Sequence, residues 1–341
     1  MENQIENIYK IGITQGDING ISYEVIIKAL SDNKLMEICT PVVYGLAKVA
    51  SFHRKVLNMN EFSFQFVKDA EHLSIKKPNL INLNDTEIKV DLGESTPIAG
   101  KMAELSIEAA CNDLKKNLID AVVTAPINKA NIQSETFTFN GHTEYFSHTF
   151  ASQKTMMMMI ANQLKIGFVT NHVAIQDLPS VLSESLIFQK IQILNDSLKQ
   201  DFACTNPKIA VLSLNPHAGD SGLIGSEENE IIKPAIQEAF DQKINVFGPF
   251  ASDGFFASGQ YLQFDAILAM YHDQGMIPFK LLAMEDGVNY TAGLPVVRTS
   301  PAHGTAYHLA GKNTASSQSM RNAIYLAIDI LKNRAALNEP L

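Results

Sequence analysis

The chain has 341 residues, 46% hydrophobic and 18% charged, which suits one large globular body or two intimately joined domains. Its formal charge of −9 argues against an extended nucleic-acid groove and leaves room only for a local cationic pocket. Three cysteines without paired spacing (Cys39, Cys111, Cys204), no apolar run near the roughly 20 residues of a membrane helix, and an opening that carries Glu2, Glu6 and Lys10 predict a cytoplasmic protein with neither disulfide scaffold, membrane span nor secretory leader.

Taken in order, Tyr9 to Thr14 reads as a first strand, followed by the turn Gln15-Gly16-Asp17-Ile18-Asn19-Gly20 and a helical segment from Tyr23 to Leu30. A glycine-bearing turn between strand and helix either presents its N–H groups to an anion or simply reverses the chain. No G-x-G-x-x-G is present, so the turn is not a Rossmann fingerprint. Strand (Pro41 to Tyr44) and helix (Leu46 to Leu57) patterns follow, and residues 84–98 are polar and irregular. Met102, Leu105, Ala109 and Leu114 mark a helix from Ala99 to Lys116, which leads to a buried strand from Asp120 to Thr124.

The segment Asn140-Gly141-His142-Thr143-Glu144 precedes helical residues Tyr145 to Phe150. It either sets His142 and Thr143 at a helix N-terminus to meet an anionic or hydroxylated substrate, or uses Thr143 as a cap. Thr155 to Ile160 pairs with Lys165 to Thr170 as a hairpin, and the four methionines Met156 to Met159 read as core or subunit packing rather than a metal box. A helix spans about Leu182 to Lys199, Ser226 precedes an acidic first helical turn, residues 248–253 form a loop, and Ser316 to Lys332 closes the chain as an amphipathic helix. Strand and helix patterns alternate almost end to end, so the fold class is α/β.

Three short apolar runs end alike. Lys165 to Thr170 delivers His172, Ile209 to Leu214 delivers His217, and Ala266 to Tyr271 delivers His272 in a His-Asp-Gln-Gly turn. Such runs read as strands buried on both faces, and the carboxyl ends of parallel strands are where open α/β sheets bind ligands. If the three strands are neighbours, three imidazoles converge and leave a divalent metal with open positions, as in a catalytic site. Imidazole suits zinc, cobalt or nickel better than magnesium. The competing reading makes each a hydrogen-bonded loop residue; His53, His72, His148 and His308 lack the context altogether. On an extended segment adjacent side chains point apart, so Asp273 is expected to point away from His272, while Lys280 is expected within reach of the His272 turn. Lys280, Asn289 and Arg298 supply a point charge, an amide and a guanidinium suited to phosphate or carboxylate.

Together these segments resemble the 4-hydroxythreonine-4-phosphate dehydrogenases of pyridoxal phosphate synthesis. The resemblance is carried by ITQGD at 13–17, VTAPINKA at 123–130, GHTE at 141–144, LNPHAGDSG at 214–222, GP at 248–249 with Asp253, AMYHDQG at 269–275, VN at 288–289 and GLPVVRTSPAHGTA at 293–306. It implies metal ligation by His172, His217 and His272, and substrate contacts from His142, Thr143, Lys280, Asn289 and Arg298. The HGTA segment is similar to the nucleotide loop of isocitrate and isopropylmalate dehydrogenases. That likeness implies NAD (or NADP) at His303, Gly304 and Thr305, and an α/β fold of two intimately joined α/β/α subdomains with a cleft between them. The expected subdomains are 1–130 plus 281–341, on the nucleotide side, and 131–280, with metal ligands and dimer contacts. A homodimer whose active site is completed by the second subunit is implied as well. The cation is expected to be zinc, with cobalt or magnesium as alternatives, and Asp253 a proton acceptor or orienter. GDINGISYE at 16–24 and TNHVAI at 170–175 depart from the family's usual forms, which leaves the shape of the first loop open. The expected reaction is oxidation of a phosphorylated hydroxy-amino acid to a β-keto acid. A threonate or erythronate phosphate dehydrogenase, a phosphate acyltransferase on a similar fold, and a metal-binding protein without catalysis are the alternatives.

Overall fold

A computed structural model describes residues 8–338; the charged opening that carries Glu2 and Glu6 lies outside them. The chain divides into two compact units. One runs to Ala151 and resumes from Pro295 to Leu331; the other runs from Ser152 to Leu294 and takes the chain from Lys332 onward. The expected divisions stood at 130/131 and 280/281. Hydrogen bonds from Asn131 Nδ2 to Asp17 Oδ2, at 2.8 Å, and from Ser134 Oγ to Glu104 Oε2, at 3.1 Å, keep residues beyond 130 with the first unit.

The first unit opens with β1 (Tyr9–Thr14), α1 (Ser22–Leu30), α2 (Asn33–Ile38), β2 (Cys39–Gly45), α3 (Ala47–Val56), β3 (Gln65–Val67) and β4 (Asn79–Asn82). It continues with α4 (Pro97–Lys115), β5 (Ala121–Thr124) and α5 (His142–Thr149). Nothing regular forms between Asn82 and Pro97. Helix α4 then starts where the Thr96 hydroxyl accepts from Ala99 N and Pro97 fills the first turn. It buries Met102, Ile107, Cys111 and Leu114.

The second unit contributes β6 (Met156–Ala161), β7 (Leu164–Phe168), α6 (Leu178–Val181), α7 (Glu184–Gln200), β8 (Lys208–Leu212), α8 (Lys233–Asp241) and β9 (Asn245–Phe250). It then adds α9 (Ser252–Ala257), β10 (Ala266–Ala269), α10 (His272–Ala283) and β11 (Val288–Ala292). The chain ends with β12 (Val297–Pro301) and α11 (Gln318–Asn338).

Strands of the first unit run β3-β4-β2-β1-β5-β12, with every neighbouring pair parallel. The direction of winding reverses between β1 and β5, the kind of switch point at which α/β sheets open a crevice. In the second unit the order is β11-β6-β7-β10-β8-β9. The β6–β7 hairpin pairs Ala161 with Leu164, and β11 lies antiparallel to β6 on its other side. The four methionines of β6 are buried in this sheet, as packing residues. Strands β7, β10, β8 and β9 are parallel. The apolar composition of β8 and β10 follows from burial on both faces, whereas β9 lies at the edge with Phe247 exposed. No described helix is long and apolar enough to cross a membrane.

Candidate active site

In the second unit the three histidine-bearing strands are neighbours. Strand β10 lies between β7 and β8 and parallel to both, with Ile267 opposite Ile166 on one side and Ala210 on the other. His172, His272 and His217 therefore leave one edge of the same sheet. The rings of His172 and His272 stand 6.0 Å apart, and that of Phe168 is 6.2 Å from His272.

His272 does not sit in a turn, as expected, but opens helix α10. Gly275 allows the helix its place: a Cβ there would stand 2.6 Å from the Phe168 ring and 2.9 Å from Ile166. Helical geometry also reverses a second expectation. On an extended segment adjacent side chains point apart, whereas in a helical turn they diverge by only about 100°. Asp273 consequently reaches back, its Oδ1 2.6 Å from His272 Nδ1. Both side chains are well exposed, so the contact adds little stability; its effect is to orient the ring and leave Nε2 for a ligand. The same helix carries Lys280 eight residues on, roughly 12 Å along the axis, exposed in the last turn and not beside His272 as the sequence suggested.

After β8 the chain enters an unusual loop. His217, Ala218, Gly219, Asp220 and Ser221 all have positive φ, between 41° and 76°. Left-handed geometry costs a non-glycine residue roughly 1–2 kcal/mol, so a run of this kind needs outside support. His217, Asn215, Asp253, Asp273 and Gln274 line a cavity of about 570 Å3. Asp253 belongs not to a loop but to the first turn of α9, where it is exposed.

Gln274 is a residue that sequence reasoning passed over. Its Nε2 donates to Ser213 O and Ser252 Oγ, and its Oε1 accepts from Met270 N at 2.7 Å. Thr170 in turn donates to Met270 O through N and Oγ1, at 3.2 and 2.7 Å. One buried amide and one hydroxyl thus tie together the three strand ends that carry the histidines. The only local signal was a polar residue two positions after a histidine at a strand end.

The residues suit a divalent cation in donor type. They are imidazoles, two of them adjacent, one with its second nitrogen on a carboxylate. Among the described residues, however, no group of three or more His, Cys, Asp or Glu side chains stands together as a cage, so His217 is not gathered onto the other pair. Asn289, on β11, has an Oδ1 closed off from solvent and without a hydrogen-bond partner.

In the first unit, Arg298 on β12 is 2% exposed. Its Nε and Nη2 donate to Thr124 Oγ1 on β5, at 3.1 and 2.6 Å. Burial lowers its pKa to about 10, against the pull of the Glu144 carboxylate. His142 begins α5, with Gly141 before it and no side-chain cap, so Thr143 is not the capping residue. Burial first, then the Arg298 and Lys129 cations, hold the His142 imidazole neutral, well below its usual range. Its Nε2 is closed off from solvent and has no partner. A guanidinium and a neutral imidazole are donors of the kind that suit an anion.

Several N–H groups of the first loop are turned inward. Asp17 N donates to Pro126 O, Asn19 N to Asp17 Oδ1, and Ile21 N to Thr305 O, at 2.8, 2.9 and 3.0 Å. Asn19 bridges to Glu94 O, Thr96 Oγ1 and Asp91 N. Of the two readings of this turn, these contacts favour the structural one: the amides of Gln15, Asp17, Asn19 and Gly20 are spent inside the protein. Asp17 Oδ2 instead accepts from Asn131 Nδ2 and Tyr307 Oη, both at 2.8 Å. These contacts fasten the loop that carries His303, Gly304 and Thr305. His303 Nε2 is closed off from solvent and partnerless, while burial lowers the pKa of the ring. A Cβ on Gly304 would meet nothing within 4 Å.

Comparison with known proteins places these features in context. The family described as pyridoxal phosphate biosynthetic protein PdxA matches residues 37–327. A 4-hydroxythreonine-4-phosphate dehydrogenase of Bacteroides thetaiotaomicron is 52% identical over 330 residues, covering 96% of this chain and 90% of its own. A protein of Oceanobacillus iheyensis, provisionally named a D-threonate 4-phosphate dehydrogenase, is 37% identical over 94% of this chain and 97% of its own. Among solved structures, a 4-hydroxythreonine-4-phosphate dehydrogenase of Klebsiella pneumoniae aligns with a TM-score of 0.81 at 34% identity, over 96% of this chain and 99% of that one. An isocitrate dehydrogenase of Methylococcus capsulatus, at 12% identity and a TM-score of 0.50 over 96% of this chain and 87% of that one, shares the fold alone.

Proposed function

The chain belongs to the PdxA family of pyridoxal phosphate biosynthetic proteins and is an oxidoreductase; from that premise we propose that it oxidises 4-(phosphooxy)-L-threonine with NAD in the cytoplasm. The product is a β-keto acid, 2-amino-3-oxo-4-phosphooxybutanoate, which loses carbon dioxide to give 3-amino-2-oxopropyl phosphate.

The observation that carries the reading is the adjacency of β7, β10 and β8, whose ends deliver His172, His272 and His217. A divalent cation on these imidazoles, zinc with cobalt or magnesium as alternatives, would stabilise negative charge developing on the substrate's hydroxyl oxygen, and NAD (or NADP) would accept the hydride. The protein's own groups do the rest. Asp273 orients His272 through Nδ1. Arg298 and His142 receive the anionic end of the substrate, with Thr143, Lys280 and Asn289 as further contacts. The neutral state of His142 lets its buried Nε2 accept or donate a hydrogen bond without repelling Arg298. Asp253, exposed in the wall of the His217 cavity, accepts the hydroxyl proton or orients the group that does. His303, Gly304 and Thr305 contact the dinucleotide.

A homodimer completes the site in this proposal. Ile277, Leu281, Leu282 and Met284 are 50–82% exposed on and just after α10, and Ile277 and Leu281 belong to the same cavity wall as His217 and Asp273. An apolar rim around polar groups is the composition expected of a surface that a second copy covers.

The similarity to the Oceanobacillus iheyensis protein supports one second reading, oxidation of threonate or erythronate 4-phosphate. Cobalt titration of the single His172→Ala, His217→Ala and His272→Ala proteins tests the metal assignment. Each is expected to weaken binding, and three variants that bind as tightly as the parent would refute it.

A further inference from the structure

We infer that Glu228 is a positioning residue that clamps the left-handed turn His217–Ser221 and so fixes where His217 presents its imidazole; the inference rests on the metal-ligand reading above. The acidic run Ser226-Glu227-Glu228-Asn229-Glu230 reads in sequence as the solvated first turn of a helix. Glu228 does the opposite: it is 1% exposed and turned inward.

Its carboxylate is occupied by the chain segment immediately before the strained turn. Oε1 accepts from Leu214 N at 2.8 Å and from Asn215 N at 2.7 Å, and Oε2 accepts from Asn215 Nδ2 at 3.0 Å. Glu227 Oε2 takes the same Asn215 amide at 2.8 Å. On the far side Gly219, at φ +76°, lies against the clamp: a Cβ there would stand 2.6 Å from Glu228 Oε2. Ile224 N closes the turn on Gly219 O at 3.0 Å.

A carboxylate taken out of water is costly unless several donors replace its hydration, and here three N–H groups do so. A run of left-handed residues persists only where its surroundings over-determine it, and Glu228 with Gly219 are the surroundings that touch it at entry and middle. Glu228 is absent from the cavity wall that His217 lines, so it acts through the loop and not as a ligand itself. A loop held in this shape beforehand loses less conformational freedom when a cation binds.

The test uses the full-length protein, freed of metal, in the variants Glu228→Ala, Glu228→Gln, Gly219→Ala and His217→Ala. Cobalt affinity is read from the visible absorption of the bound ion, and amide exchange is read at Leu214 and Asn215. The expected result for Glu228→Ala is a loss of cobalt affinity of about 10- to 100-fold. Exchange at the two amides should rise at least about tenfold while the strands of the second unit stay protected. Glu228→Gln keeps an acceptor oxygen and should recover most of the affinity. Gly219→Ala should behave like Glu228→Ala, which keeps the inference testable if the latter does not fold.

Cobalt binding by Glu228→Ala within about twofold of the parent, with binding lost in His217→Ala, overturns the inference, because the ligand then needs no clamp. Unchanged exchange at Leu214 and Asn215 overturns it as well. Parent-like affinity in His217→Ala is a different failure, that of the ligand assignment itself, and the exchange data then still decide whether Glu228 holds the turn.

Discussion

Tyr307 Oη donates a 2.8 Å hydrogen bond to Asp17 Oδ2, joining the loop after β12 to the loop after β1 across 290 residues of sequence. Asp17 is fully buried, so the bond is made to a carboxylate without competing water.

Tyr307→Phe removes that donor and leaves Asn131 as the side-chain donor to Asp17 Oδ2. A hydrogen bond to a charged group is worth about 1.5–3 kcal/mol, and a loss of that order in unfolding free energy is expected. Because the bond fastens the loop of His303 to Thr305, the dissociation constant for NAD should rise while cobalt affinity stays put. Calorimetric titration of both ligands checks this; equal NAD affinity in variant and parent would separate the latch from the dinucleotide.

Asp273→Asn tests the orientation of His272. The variant keeps a side chain of the same size but loses the negative charge on the group that meets Nδ1. Metal affinity should fall about 10- to 100-fold and turnover with it, whereas His272→Ala should abolish both. Elemental analysis after dialysis distinguishes them. If Asp273→Asn emptied the site as completely as His272→Ala, the carboxylate would be a ligand in its own right.

Arg298→Ala should raise KM for the phosphorylated substrate about 10- to 150-fold, the range of a charge-assisted contact, with NAD affinity little changed. A second readout is the pKa of His142, which should rise once the neighbouring cation is gone. Proton NMR of the His142 ring reports it. A KM effect confined to NAD would put Arg298 in the nucleotide pocket.

His53 gives a pH dependence with a definite sign. It is 3% exposed, stacked on Tyr23 at 5.2 Å, and its Nε2 meets Ile18 O at 2.8 Å. Burial lowers its pKa to about 4. A ring neutral in the fold but protonated in the unfolded chain contributes stability that is present above about pH 6.5 and is lost as pH falls towards 4. From pH 7 to 4.5 the loss is about 2 kcal/mol. Denaturant unfolding of parent and His53→Gln at the two pH values should show a shallower fall for the variant. Parallel falls would remove His53 from the account.

Much of this architecture could be read from sequence because short apolar runs are local. The runs before His172, His217 and His272 predicted strands whose parallel adjacency the structure shows, and the helix read from Ala99 forms from Pro97. What escaped was set by partners far away in the chain. Asp17 meets Asn131 across 114 residues, and in the apparent anion loop the amides of Gln15 and Asp17 go to Ser106 and Pro126. Asp273 was misplaced because the apolar run before it gives no sign that a helix begins at His272. Lys280 was misplaced for the same reason: a helix carries it two turns away, whereas a loop would have let it return. Glu228 looked like an ordinary surface acid because charge pattern alone does not say which carboxylate turns inward.

NADH formation by the purified protein, once chelated and once reloaded with zinc or cobalt, on 4-(phosphooxy)-L-threonine and on threonate and erythronate 4-phosphates side by side, decides between these readings. The expected result is metal-dependent NADH formation that is fastest with the phosphothreonine and accompanied by release of carbon dioxide. NADH formation that is indifferent to chelation, or none with any of the three substrates, would contradict it.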